Sequence, residues 1–145
     1  MTILIRNDQT RLKIDPARVE EKAVAILNAL ERPEAELSIL IVDDEKMTDL
    51  NRRYLGRKGP TNVIAFPMQE GKFSEISPDL LGDVAISADT AEREGDSSGA
   101  GFETRFFELL IHGVLHLFGY DHEKSRTMDE KMDRKARELS TLLNL

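Results

Sequence analysis

Three histidines occur in a chain of 145 residues, and all lie in one run: His112-Gly113-Val114-Leu115-His116-Leu117-Phe118-Gly119-Tyr120-Asp121-His122. His112 and His116 are four apart. On a helix they share a face, one turn apart, which is how two imidazoles chelate one metal ion. Gly119 can take a positive φ and end that helix. A tight reversal there would bring His122 to the same ion as a third ligand. Three neutral imidazoles with one open position are the usual layout of catalytic zinc. A single helical histidine is more often structural or solvated. Here, however, Leu109, Leu110, Ile111, Val114, Leu115, Leu117 and Phe118 surround the pair. Imidazoles in so apolar a helix each need a polar partner, because an unpaired buried polar group costs about 1–3 kcal/mol. A shared metal ion meets that need for both.

The spacing fits the His-x-x-x-His-x-x-Gly-x-x-His frame of metzincin peptidases. One position departs from it. Those enzymes carry Glu after the first histidine as general base, whereas this chain has Gly113. The cradle is therefore hydrolase-like, and peptidase chemistry is disfavoured. Asp121 is read as a group bonded to the His122 ligand, a proton carrier, or the cap of the last helix; the cap and ligand-bonded roles are preferred. Glu108, one turn before His112, is read as an exposed helix acid in preference to a metal neighbour. Met128 follows His122 at six residues, but its stripe with Met132 and Ala136 points to core packing. Arg52, Arg53, Arg57 and Lys58 put four cations in seven residues with no acid among them. They suit an RNA backbone, or equally a solvated helix end favoured by the helix dipole.

These side chains need elements to position them. Residues 2–6 alternate like a short strand. Asp15-Pro16 opens a helix, with Asp as cap and Pro at the first helical position. Val19, Ala23, Ile26, Leu27 and Leu30 form its apolar face. Residues 36–42 are a β-branched strand. Asp43 and Asp44 begin a second helix, with Met47, Leu50 and Tyr54 on one face and Gly56 as its stop. Residues 61–66 and 81–87 read as two further strands, the latter with Gly82 as a possible bulge. A helix starts after Ser87. Gly95 to Gly101 is the most flexible-looking segment. An apolar helix then spans residues 103–118, and a last helix, residues 123–143, carries Met128, Met132, Ala136, Leu139 and Leu143 on one stripe. Four strands mixed with helices in one short chain give an α+β or α/β class.

Composition sets the outer bounds. The length suits one domain, residues 1–145, with a core of its own. The absence of cysteine excludes disulfides, thiolate zinc and iron–sulfur ligation, and leaves any zinc to histidine and carboxylate. A net charge of -7 argues mildly against a general nucleic-acid binder. Residues 1–14 lack a signal-peptide core, and no run approaches the roughly 20 apolar residues of a membrane span. The expectation is a soluble, intracellular protein.

The histidine run resembles the signature of the YbeY family, bacterial metal-dependent endoribonucleases of rRNA maturation. Gly59-Pro60-Thr61-Asn62-Val63-Ile64-Ala65-Phe66-Pro67 resembles that family's second block, and Leu81-Gly82-Asp83-Val84-Ala85-Ile86-Ser87 its third. The blocks stand in family order and span most of the chain. The resemblance implies an α+β domain with a mixed four-stranded sheet packed by helices. It implies one Zn2+ on His112, His116 and His122. It further implies single-strand-specific cleavage in ribosomal RNA processing, notably at the 3′ end of small-subunit (16S) rRNA, and in ribosome quality control. The implied partners are ribosomal RNA, the small ribosomal subunit, a small-subunit ribosomal protein and a ribosome-assembly GTPase, in the cytoplasm and away from membranes. Leu55 stands where the family often has a functional arginine, so that role cannot be carried over. Arg57 is the candidate electrostatic substitute, and with Asp121 the candidate catalytic pair. Two other readings remain open: a metal-dependent hydrolase of another substrate, and a non-catalytic ribosome-assembly factor with a structural metal.

Overall fold

In a computed structural model, residues 2–68, 79–120 and 126–145 are described. Four strands, β1 (Thr2–Asn7), β2 (Glu36–Val42), β3 (Val63–Pro67) and β4 (Leu80–Ser87), form one sheet in the order β1-β2-β4-β3. β1, β2 and β4 run parallel, and β3 pairs antiparallel with β4. The sheet is therefore mixed, and with its helices the chain is an α+β single domain.

The helices are α1 (Pro16–Ala29), α2 (Asp44–Leu55), α3 (Ala88–Ser98), α4 (Phe102–Leu117) and α5 (Arg126–Leu142). The expected caps hold. Asp15 accepts from the amide of Ala17, Asp43 from Lys46 and Ser87 from Thr90, and Gly56 ends α2 in the left-handed conformation. Leu37, Ile39, Ile41, Leu81, Val84 and Ile86 turn to one face of the sheet. There they join Val19, Ala23, Ile26 and Leu27 of α1, the apolar residues of α4, and Met132 and Leu139 of α5. Val42, Met47, Ile64 and Ala85 form a smaller core under α2 on the other face. Helix α4 is buried on nearly every side, as its sequence requires. Among the described residues no helix is long and apolar enough to cross a membrane.

Three sequence expectations change. Thr61 and Asn62 lie outside β3, whose pairing starts at Val63 opposite Ile86. The Asn62 carbonyl still accepts the Ser87 amide at 2.9 Å, capping the ladder from outside. Gly95 to Ser98 belong to α3, and the Gly101 amide donates to the Gly95 carbonyl at 3.0 Å. Gly95 is thus packed against Gly101 in the α3–α4 turn, because a backbone without a Cβ can approach closely there, while residues 96–100 are exposed. Tyr54 is 61% exposed and does not lie in the core. The last turn of α2 carries it edge-on to Phe66, with ring centres 5.3 Å apart. The bulge expectation holds: Leu37 pairs with Gly82 where Glu36 pairs with Leu80, leaving Leu81 as the extra residue.

Candidate metal centre and its surroundings

The histidine face is built by the end of α4. Phe118 closes the helix, and the chain turns at Gly119. The Gly119 amide donates to the His116 carbonyl at 3.0 Å, and the Tyr120 amide to Leu115 at 3.1 Å. This pair of bonds is a Schellman turn, which satisfies carbonyls that the helix would otherwise leave open. The predicted stop at Gly119 is therefore present, three residues after the second histidine.

His112 and His116 are both half-buried, with ring centres 5.8 Å apart and planes inclined by 50°. A zinc–nitrogen bond of about 2.0–2.1 Å puts the ion roughly 3.2 Å from each ring centre, so one ion reaches two rings within about 6.4 Å. The pair fits that span. Among the described residues no three histidine or carboxylate side chains converge as a metal site. The expected third ligand, His122, and its neighbour Asp121 lie outside the described residues.

Gly113 sits between the histidines in sequence but faces elsewhere. A Cβ there would stand 2.6 Å from Val84 Cγ1 and 3.1 Å from Val63 Cγ2. Position 113 is thus the contact point between α4 and strands β3 and β4. A glutamate has no room there. The missing general base of the metzincin frame follows from packing, since this turn of the helix is pressed against the sheet.

Arg105, Glu108, His112 and His116 fall within an arc of about 80° on α4. Glu108 is half-buried and ion-paired to Arg105 at 3.4 Å. Arg105 also donates to Glu94 of α3 at 3.0 Å, and Glu94 in turn accepts from the side-chain amide of Asn62 at 3.2 and 3.3 Å. Neither Glu94 nor Arg105 stood out in the sequence. The available signal was Arg105 at seven residues before His112, two turns down the same face.

The cation cluster divides in two. Arg52 and Arg53 share Asp49, one turn earlier, at 2.7 and 3.6 Å. Arg57 and Lys58 are exposed, and no carboxylate pairs with them among the described residues. They ride on the loop between Gly56 and Asn62, which runs straight into Val63, the residue packed at Gly113. Asn51 holds this loop from below. It is buried, donates to the Gly59 carbonyl at 2.9 Å and has no partner for its own Oδ1 among the described residues. Leu55 is 46% exposed.

A second polar cluster ties the starts of α2 and α3. Asp44 accepts from Ser87, Thr90 and Arg93 at 2.7, 2.6 and 2.6 Å. Asp89 accepts from the Asp44 amide at 2.9 Å and from Arg11 at 2.8 Å. Burial pushes the Asp44 carboxyl up, but the bonds from Arg93, Ser87 and Thr90 outweigh it and hold its pKa below the ordinary value.

A family profile described as Endoribonuclease YbeY matches residues 4–144. The chain is 47% identical over 144 residues to the endoribonuclease YbeY of Geobacter sulfurreducens, covering 99% of this chain and 96% of that one. It is 50% identical over 138 residues to that of Syntrophotalea carbinolica, covering 94% and 92%. A Thermotoga maritima protein known from its solution structure shares the fold, with a TM-score of 0.61, 24% identity, and coverage of 95% and 89%. With its three motif blocks on one α+β scaffold, this chain belongs to the endoribonuclease YbeY family.

Proposed function

We propose that the protein is a zinc-dependent endoribonuclease that cleaves single-stranded RNA in ribosomal RNA processing, including 3′-end maturation of small-subunit 16S rRNA and ribosome quality control. The observation that carries this reading is the His112–His116 pair, half-buried on one helix face at a separation one ion can bridge. Membership of the endoribonuclease YbeY family supplies the reaction class.

His112 and His116, with His122, would hold the ion. When bound, it would supply Lewis-acid polarisation of a phosphoryl oxygen, or a water of lowered pKa. Neutral imidazoles leave the charge of such an ion uncompensated, which suits a phosphodiester gaining negative charge. Arg57 and Lys58 would attract and orient the backbone, Arg57 serving where Leu55 cannot. Asp121 would orient the His122 imidazole or carry a proton. In the cytoplasm the partners would be ribosomal RNA and the small subunit, with a ribosomal protein and an assembly GTPase placing an acidic protein on its substrate.

Gly113 weighs against a peptidase, because packing against Val84 leaves no room for a carboxylate base. A structural metal in a non-catalytic assembly factor would require four protein ligands. Metal analysis paired with cleavage of ribosomal RNA, for wild type and His116→Ala, tests the proposal. Wild type should bind one zinc and cleave, and His116→Ala should lose both. Cleavage that survives complete metal loss refutes the mechanism.

A further inference from the structure

We propose that Glu94 is a positioning residue, which locks the cation loop to the histidine-bearing helix through Asn62 on one side and Arg105 on the other. The inference rests on the RNA-cleavage reading above, since it says how the RNA-binding loop is held against the metal face.

The loop from Gly56 to Asn62 carries the two unpaired cations and has only two side-chain anchors among the described residues. Asn51 of α2 fixes its middle at the Gly59 carbonyl. Glu94 of α3 fixes its end at the Asn62 side chain. The second anchor bears on the chemistry, because Glu94 also holds Arg105. Arg105 lies on the histidine face of α4, roughly 10 Å along the axis from His112. One carboxylate thus joins the RNA-binding loop to the helix that presents the imidazoles.

The geometry separates positioning from proton transfer. Glu94 Oε1 accepts from both Arg105 Nε and Asn62 Nδ2. Glutamine retains Oε1, so Glu94→Gln can keep both bonds while losing the charge. A general base at this position could not survive that change. Arg105 also offsets part of the Glu94 charge, although it is shared with Glu108.

The test compares Glu94→Ala, Glu94→Gln, Asn62→Ala and the Glu94→Ala/Asn62→Ala double variant in the full-length, zinc-loaded protein. All are first matched by thermal melting. With single-stranded RNA, Glu94→Ala should lower kcat/KM about 10- to 100-fold, mostly through KM, as expected when a binding loop shifts by about an ångström. Asn62→Ala should behave alike, and the double variant no worse than either single. Glu94→Gln should stay within about threefold of wild type, with an unchanged pH profile, because a neutral acceptor keeps the bonds at reduced strength. Amides of residues 59–63 should exchange hydrogen faster in Glu94→Ala and at the wild-type rate in Glu94→Gln. If Glu94→Gln is as impaired as Glu94→Ala, the carboxylate takes part in chemistry and the proposal is overturned. If Glu94→Ala leaves both KM and amide exchange unchanged, there is no functional tether. Wild type that cleaves no RNA defeats the proposed function instead; the exchange comparison still decides the tether, and equal rates in Glu94→Ala and wild type overturn it.

Discussion

Replacing Gly113 with alanine sets two physical effects against each other. Alanine is favoured over glycine inside a helix by about 0.8–1.0 kcal/mol. The new Cβ, however, would stand 2.6 Å from Val84 Cγ1 and 3.2 Å from Val84 Cγ2. The nearer contact is about 1 Å inside ordinary carbon–carbon separation. Val84 is fully buried in β4, and its branched side chain has few ways to yield. Overpacking of this kind costs about 1–3 kcal/mol, so the net expectation is a loss of up to about 2 kcal/mol. For a chain of this size that lowers the melting temperature by up to about 6 °C. Urea unfolding should show the same loss at unchanged m-value. Adding Val84→Ala opens the space, so the two changes should couple by about 1 kcal/mol or more in the favourable direction. Under the proposed metal role, Gly113→Ala should also weaken zinc binding by displacing His112 and His116, and relief of the clash should restore it. A Gly113→Ala protein more stable than wild type would mean that helix propensity alone governs the position. The contact between α4 and the sheet would then not explain the absence of a base there.

Removing Arg57 and Lys58 together should flatten the salt dependence of single-stranded RNA binding by about 1.4 in the log–log slope, and Arg57→Ala alone should slow cleavage. Arg52→Ala and Arg53→Ala should change the slope less, since Asp49 already pairs with both. An unchanged slope in the Arg57/Lys58 variant sinks the RNA-binding loop. For Asp44, the folded pKa lies below the unfolded one. Its contribution to stability is therefore full above the unfolded value of about 3.9 and is lost as pH falls through the lower folded value. Asp44→Asn, which keeps the Ser87 and Thr90 bonds but not the Arg93 ion pair, should cost about 1 kcal/mol at neutral pH, since Arg93 is largely exposed. That difference should shrink when unfolding is measured from pH 5 down to pH 2. A gap that widens in acid contradicts the sign.

Local patterns were legible where the physics is local. The caps at Asp15, Asp43 and Ser87, the stop at Gly119 and the strand at residues 36–42 each depend on neighbours within a few residues. The insertion of β4 between β2 and β3 was not legible, because strand pairing joins residues far apart in sequence. The same holds for the polar clusters. Asp44 meets Thr90 across 46 positions, and Asn62 meets Glu94 across 32. No spacing rule covers such pairs. Asn51 is an intermediate case, since a polar residue four after Met47, on an apolar face, could have marked a buried anchor.

The histidine pair could be read from spacing because one helix carries it, but the reason for its surroundings could not. Helix α4 must be central to the core and must also present imidazoles. Its narrow polar strip, Arg105, Glu108, His112 and His116, lies beside a flank pressed on the sheet at Gly113. A carboxylate base on that flank would force the helix off β3 and β4. Any acid that serves the site must therefore come from another turn or another element. That constraint follows from the methyl groups of two valines, Val84 and Val63, and it ties the choice of chemistry to how closely a helix packs on its sheet.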